Sequence, residues 1–299
     1  MLLVVGSVAY DDVETPFGRE PEALGGSATF FSISASHFTS VSLIGIVGED
    51  FRADSLALLE EHGVDTSGLL RVPGKTFHWK GSYQGDMNSA QTHDTQLNVF
   101  ADFNPQLSPV QRDAEYLFLG NIEPRLQLSV LDQVHQPRLT ALDTMNYWID
   151  TRKEEVLKVA SRVDILIIND AEARSLTGVQ NIQAVADRLL EIGPRLGIVI
   201  KRGEFGSLLV TREDRFAVPA VPVTQVVDPT GAGDTFAGGF MGHLARTGDL
   251  TAPNLRKAVV YGNILASFAV EDFSMRRTAS VTPEEIEVRL EEYRGYCRF

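Results

Sequence analysis

At 299 residues, 43% of them hydrophobic, the chain can bury a full core, as one large α/β domain or as a domain with a small appendage. A formal charge of −13 argues against a broad nucleic-acid or acidic-membrane surface, which needs clustered Lys and Arg, while leaving room for a locally basic pocket. The single cysteine, Cys297, excludes an intrachain disulfide framework and fits a reducing, cytoplasmic setting.

In chain order, MLLVVGSVAYDD is apolar too briefly for a membrane span and lacks the basic start and cleavage site of a signal peptide. It reads as a buried strand over 2–9. Helical spacing follows at 27–38, a strand at 41–48, and helical spacing again at 53–63. Residues 75–103 then change texture: polar, aromatic and β-branched, with turn residues in the middle and no helical period. They predict extra strands projecting from the main sheet. Strands at 115–121, 139–145, 164–169 and 197–203 are near-continuous apolar runs, as strands buried on both faces should be. Helical patterns at 152–161 and 181–193 alternate with them, the signature of a parallel sheet covered by helices on both faces. No repeat, low-complexity tract or long linker divides the chain, so 1–299 reads as one domain. The histidines show no metal-ligand spacing, and no zinc site is expected.

Near the C-terminal third, DPTGAGDTFAGGF (228–240) follows an extended Val/Pro-rich approach and leads into a helix whose Phe236, Phe240, Met241 and Leu244 suit packing on a sheet. Glycines at a helix start let the backbone turn sharply and leave amide N–H groups bare at the positive end of the helix, where they hold an anion. The segment lacks the Lys-Ser/Thr of a P-loop, so this loop must work without a lysine. Phe236 stands where a dinucleotide fingerprint wants its third glycine, which removes a nicotinamide oxidoreductase reading. Asp234 would repel a bound phosphate unless it takes a proton from something attacking that phosphate, which is what a phosphotransferase needs. The plainer alternative is that Asp234 caps the helix and the glycines serve close helix packing.

DPTGAGDTFAGGF resembles the C-terminal signature of the ribokinase-like (PfkB) carbohydrate kinases, D-T/P-T-G-A/C-G-D-x-F. GGSATFFSISAS (25–36) is similar to the family's Gly-Gly signature, GSVAYD to its first strand and substrate aspartate, NDAEA (169–173) to its N-x-x-E motif, and KRGEFGS (201–207) to its K/L-G-x-x-G hairpin. The resemblance runs from about residue 3 to residue 270. It implies a three-layer αβα sandwich with a mainly parallel central sheet and a small β lid, formed by about 75–103 with part of 10–24. It also implies transfer of the γ-phosphate of ATP to a hydroxyl.

By this resemblance Asp234 is the catalytic base and Gly231, Ala232 and Gly233 form the anion hole. Asn169 and Glu172 help organise Mg and its waters. Lys201, Gly203 and Gly206 belong to the nucleotide pocket, with Asn263 near the adenine. Asp228 and the Thr230 backbone match a loop that holds K. Each has a local alternative: a helix start for NDAEA, a hairpin turn for KRGEFGS, a turn residue before Pro229 for Asp228. On the acceptor side Asp11, Gly25 and Gly26 match the family. Ala9 and Phe30 stand where ribokinases often carry Asn, which disfavours ribose itself. That leaves another sugar or polyol, a nucleoside whose base stacks, or a Phe30 turned into the core. Trp79 offers a stacking platform, and Asp143 and Asn146 follow a strand at the carboxyl edge of the sheet, where open α/β folds bind ligands. The expected activity is an ATP- and Mg-dependent carbohydrate kinase acting on a sugar or polyol, with a nucleoside kinase and a non-catalytic binding protein of the same fold as alternatives. Either a monomer or a homodimer fits.

Overall fold

Strands that are apolar at every position must be covered on both faces, and the main sheet is built that way. The computed structural model describes residues 1–85 and 87–298; Asp86, inside the segment expected to project as extra strands, lies outside the described residues. In chain order the strands are β1 (Leu2–Val5), β2 (Ala9–Thr15), β3 (Gly18–Gly25), β4 (Val41–Val47), β5 (Val64–Arg71), β6 (Phe77–Tyr83), β7 (Ala90–Gln96), β8 (Tyr116–Leu119), β9 (Leu139–Leu142), β10 (Ile165–Asn169), β11 (Gly197–Lys201), β12 (Ser207–Thr211) and β13 (Arg215–Val218). Nine of them form one sheet in the order β13-β12-β11-β10-β9-β8-β1-β4-β5. All neighbours are parallel except β11–β12 and β12–β13. Within β1, Leu2 and Val4 join the apolar cluster on one face and Leu3 and Val5 the cluster on the other. Helices Ser27–Ser36, Ala232–Thr247 and Ala252–Ala269 cover the first face; Pro124–Gln133, Asn146–Ala160, Asp170–Thr177 and Ile182–Ile192 cover the second.

β2, β3, β6 and β7 make a separate sheet in the order β3-β2-β6-β7. The single strand expected over 2–9 is therefore two, one in each sheet. The break falls where Gly6–Val8 crosses between them. Ser7 N donates to Ser27 Oγ at 3.1 Å and Ser27 N to Ser7 Oγ at 3.0 Å, so side chains rather than a ladder satisfy this backbone. A Cβ on Gly6 would stand 2.7 Å from Ser27 Oγ, so the crossing has no room for a side chain.

Other boundaries move for local reasons. The strand expected over 139–145 stops at Leu142, and the helix expected from 152 already begins at Asn146, with a break at Arg152 (φ −141°, ψ 34°). Helices Ala252–Ala269 and Pro283–Tyr296, which the periodicity reading did not mark, pack on the first face. Among the described residues no helix is long and apolar enough to cross a membrane.

The glycines inside Ala232–Thr247 serve helix contact. A Cβ on Gly238 would lie 2.5 Å from Phe31 O and 2.6 Å from Ser34 Cβ, and one on Gly239 2.9 Å from Tyr261 O. Gly238→Val is expected to lower unfolding stability by about 2 kcal/mol or more, because backbone rather than a movable side-chain tip blocks the new methyls. Urea denaturation checks this; an unchanged midpoint would show that the helices separate freely.

Candidate active site

The strand order turns back at β1, which lies between β8 and β4, and ligands in open α/β sheets bind at the carboxyl ends beside such a point. Asp143 follows β9, Asn169 ends β10, and Lys201 ends β11, so the parallel register delivers all three to one edge. The start of helix Ala232–Thr247 faces them. Gly231 precedes it with φ 72°, a left-handed conformation, and a Cβ there would stand 2.3 Å from Phe30 Cγ. Both facts require glycine. They also place Phe30, 2% exposed, as a buried wall behind the loop instead of the acceptor contact considered above.

Asp234 occupies the first turn of this helix. Its carboxyl is held well above the ordinary range by burial and then by the charge of Asp143, with Lys201 partly offsetting both. Glu172 is raised for the same two reasons, again eased by Lys201. Lys201 Nζ donates to Asp143 Oδ2 at 2.8 Å, the Asp143 side chain being 6% exposed. Burial alone would depress the ammonium, but Asp143 and Glu172 outweigh it and raise it. Thr144 N donates to the other Asp143 oxygen at 2.8 Å, so each oxygen of this carboxylate already carries one protein donor.

Asn169 and Glu172 form a reciprocal capping box: Glu172 N donates to Asn169 Oδ1 at 2.8 Å and Asn169 N to Glu172 Oε2 at 3.0 Å. The helix-start reading of NDAEA thus holds locally, while the box aims Glu172 toward Lys201 and Asp234. Gly203 (φ 54°) and Gly206 (φ 82°) close a tight turn after β11, and a Cβ on Gly206 would meet Val218 O at 2.1 Å.

On the facing sheet, Asp11 pairs in register with Trp79 and Val13 with Gly81, so Asp11, Trp79, Gly81 and Tyr83 share a face. The carboxylate of Asp11 lies over Gly25, where a Cβ would be 1.9 Å from Oδ2, and Gly26 (φ 96°) turns the chain beneath Ser7. Burial, then the charges of Asp228 and Asp234, push Asp11 up to about 8. The benzo ring of Trp79 covers Gly81, and its Nε1 donates to Thr92 Oγ1 at 3.2 Å. Tyr83 belongs to none of the sequence motifs; its hydroxyl meets Thr230 Oγ1 at 3.4 Å and ties the small sheet to the glycine loop. Period-two alternation from Trp79 is the signal that finds it.

Asp228, 1% exposed, accepts Thr230 N at 2.8 Å and Ser274 N at 3.0 Å, and among the described residues no cationic side chain pairs with it. Two expected residues fall elsewhere. Asn146 is exposed at the start of its helix. Asn263 is committed inside the protein: its Oδ1 accepts Ser207 Oγ at 2.8 Å and its Nδ2 approaches Tyr293 OH. A cavity of about 690 Å³ between β3, helix Ala53–Glu61 and Arg276–Ser280 is lined by none of the clustered acids named above.

The buried acids make stability depend on pH. Asp11 titrates near 3.8 unfolded and about 8 folded, so its contribution is full below the lower value and is lost as pH rises through the upper one. Asp11→Asn is expected to be stabilising relative to the parent by an amount that grows between these limits, on the order of 1–3 kcal/mol more at alkaline than at acid pH. Thermal unfolding across pH checks this; a difference flat with pH would remove the buried-charge account.

The pfkB family carbohydrate kinase model matches residues 7–281. A cytidine kinase of Thermococcus kodakarensis is 32% identical over 82% of this chain and 88% of its own length. An aminoimidazole riboside kinase of Salmonella enterica, complexed with aminoimidazole riboside and an ATP analog, superposes with a TM-score of 0.76 at 21% identity, covering 97% of this chain and 99% of that one. A ribokinase structure from Thermotoga maritima superposes with a TM-score of 0.75 at 20% identity, covering 97% and 99%. With its glycine loop, its aspartate at the helix start and this match across the chain, the protein belongs to the pfkB family of carbohydrate kinases, ATP-dependent phosphotransferases acting on a hydroxyl of a sugar or nucleoside.

Proposed function

We propose that the acceptor is a nucleoside, phosphorylated at its primary hydroxyl. The observation that carries this reading is the shared face of Asp11 and Trp79: a carboxylate seated on Gly25 for sugar hydroxyls, and beside it an aromatic surface pinned over Gly81 for a flat base. The cytidine kinase resemblance over most of both chains agrees with it. A sugar or polyol, placed first on the sequence, would leave the Trp79 surface without a partner.

Asp234 takes the acceptor proton as the acceptor oxygen bonds to the γ-phosphorus and the bond to the β-phosphate oxygen breaks, its electron pair leaving with ADP. The amides of Gly231 and Gly233 receive the transferring phosphoryl at the positive helix end, while Ala232 N, expected in the same anion hole, donates instead to Pro229 O at 3.2 Å. The surplus of carboxylates at Asp143, Glu172 and Asp234 over the Lys201 ammonium fits a nucleotide that arrives with a divalent cation. Among the described residues no acidic or histidine cluster forms a metal cage, so Asn169 and Glu172 would hold Mg through its waters, and Mg would neutralise charge on the triphosphate. The buried, cation-free carboxylate of Asp228 with the Thr230 backbone fits K. Tyr83 on Thr230 would hold the small sheet closed as a lid that keeps water from the phosphoryl group.

ADP formation from Mg-ATP is measured over pyrimidine and purine nucleosides, ribose, 2-deoxyribose, hexoses and polyols, in K and in Na. A nucleoside is expected to give the highest kcat/KM, Asp234→Asn to lower kcat by about 10³ or more, and Trp79→Ala to raise nucleoside KM roughly tenfold with ATP KM unchanged. Preference for a free sugar, unaltered by Trp79→Ala, overturns the nucleoside reading. Gly25→Ala, which drives a methyl into the Asp11 carboxylate, is expected to raise acceptor KM and spare ATP KM; the reverse split would place Asp11 on the nucleotide side.

A further inference from the structure

The glycine loop contains no lysine, yet a lysine reaches it through the fold. Lys201 ends β11, Asp143 follows β9, and β10 lies between them. Two strand spacings, about 10 Å, separate the outer strands. The Lys201 stem must therefore lie across the carboxyl end of β10 for Nζ to reach Asp143 Oδ2 at 2.8 Å. On this path Nζ comes within 2.8 Å of where a Cβ on Gly233 would stand, so the ammonium sits against the backbone of the anion hole, one residue from Asp234.

A long side chain laid across a sheet edge and taken largely out of water is not an economical way to join two strands, because a buried ion pair is seldom more stabilising than apolar packing of the same volume. The position of the charge needs another reason. Gly233 offers one, since a residue with a side chain at that point would displace the ammonium. Asp143 offers another: its second oxygen is held by Thr144 N, which fixes the carboxylate and so fixes the lysine.

We infer that Lys201 is a catalytic cation of the anion hole, contacting the phosphoryl group in transfer, and that Asp143 is its positioning residue instead of an acceptor ligand. The lysine that a P-loop carries in its own turn is supplied here from a distant strand. As the phosphoryl group passes from the β-phosphate oxygen to the acceptor oxygen, with the acceptor proton going to Asp234, negative charge on its outer oxygens faces Lys201 as well as the loop amides. The inference rests on the kinase reaction and is indifferent to which acceptor is used.

The test uses the full chain with Lys201→Met, Lys201→Arg, Asp143→Asn and the charge-balanced pair Asp143→Asn with Lys201→Met. Thermal unfolding, calorimetric binding of Mg-ADP and of the Mg complex of the β,γ-imido analogue of ATP, and kcat with the fastest acceptor are read for each. Lys201→Met is expected to lower kcat roughly 100-fold and to weaken the imido analogue, which carries a γ-phosphate, roughly tenfold more than ADP. Lys201→Arg is expected to keep part of that preference. The charge-balanced pair is expected to regain thermal stability and stay as slow as Lys201→Met. A balanced pair that recovers kcat to within about threefold of the parent, or equal weakening of ADP and the imido analogue, shows a merely structural ion pair and overturns the inference. Should Lys201→Met fail to fold, the balanced pair and Lys201→Arg decide by the same readings. A wrong acceptor class would show as absent turnover in the parent, while the binding measurements still decide the role of Lys201.

Discussion

Like charge held close together is the constraint on which the rest of this structure depends. The start of helix Ala232–Thr247 brings Asp234 against Asp143 and Glu172 at the ends of parallel strands, and Asp228 and Asp234 lie close enough to Asp11 to raise its affinity for protons. At Asp234, Glu172, Asp11 and Asp228 burial disfavours ionisation. Such a set holds together because the peptide groups around it are spoken for: Thr144 N on Asp143, Asn169 N on Glu172, Thr230 and Ser274 N on Asp228. One ammonium, Lys201, moderates both Asp234 and Glu172, which gives a single side chain unusual leverage over the protonation of the site.

The glycines answer to the same crowding. Gly231 turns left-handed beneath Phe30, Gly25 leaves the space that the Asp11 carboxylate fills, and Gly233 leaves the space next to Lys201 Nζ. In each case the missing Cβ is occupied by a group that belongs to the site or walls it. Further along the same helix Gly238 and Gly239 serve packing, so one glycine-rich stretch does two unrelated jobs in succession. This closeness also explains why the two sheets meet where they do. Gly6–Val8 carries the chain from one to the other directly under Ser27, and the shared face of Asp11, Trp79 and Tyr83 then lies opposite the glycine loop.

Several functions coincide on single residues. The Asn169–Glu172 box caps a helix and aims a carboxylate; Thr230 closes a turn on Asp228 and receives Tyr83. A choice between a structural and a functional reading is artificial at such positions, because the hydrogen bond that ends the helix is also what fixes the acid. At Asn263 and Phe30, by contrast, the polar or aromatic group is used up in the interior: Asn263 by Ser207 and Tyr293, Phe30 by the backbone of Gly231.

What the sequence determined by itself is what contiguous residues can dictate. Apolar runs such as ILII require cover on both faces, a glycine before a helix start permits φ 72°, and Asn three residues before Glu closes a capping box. These are local demands of backbone and periodicity, and they made the fold class, the glycine loop and Asp234 legible. The tertiary structure alone decided that Lys201 meets Asp143 across β10, that Asp11 rests on Gly25 beside Trp79, and that Ser274 closes on Asp228. Those contacts depend on sheet order and on where a crossover sets its strand down, and no run of neighbouring residues encodes them, because the partners become neighbours only once the whole sheet has formed.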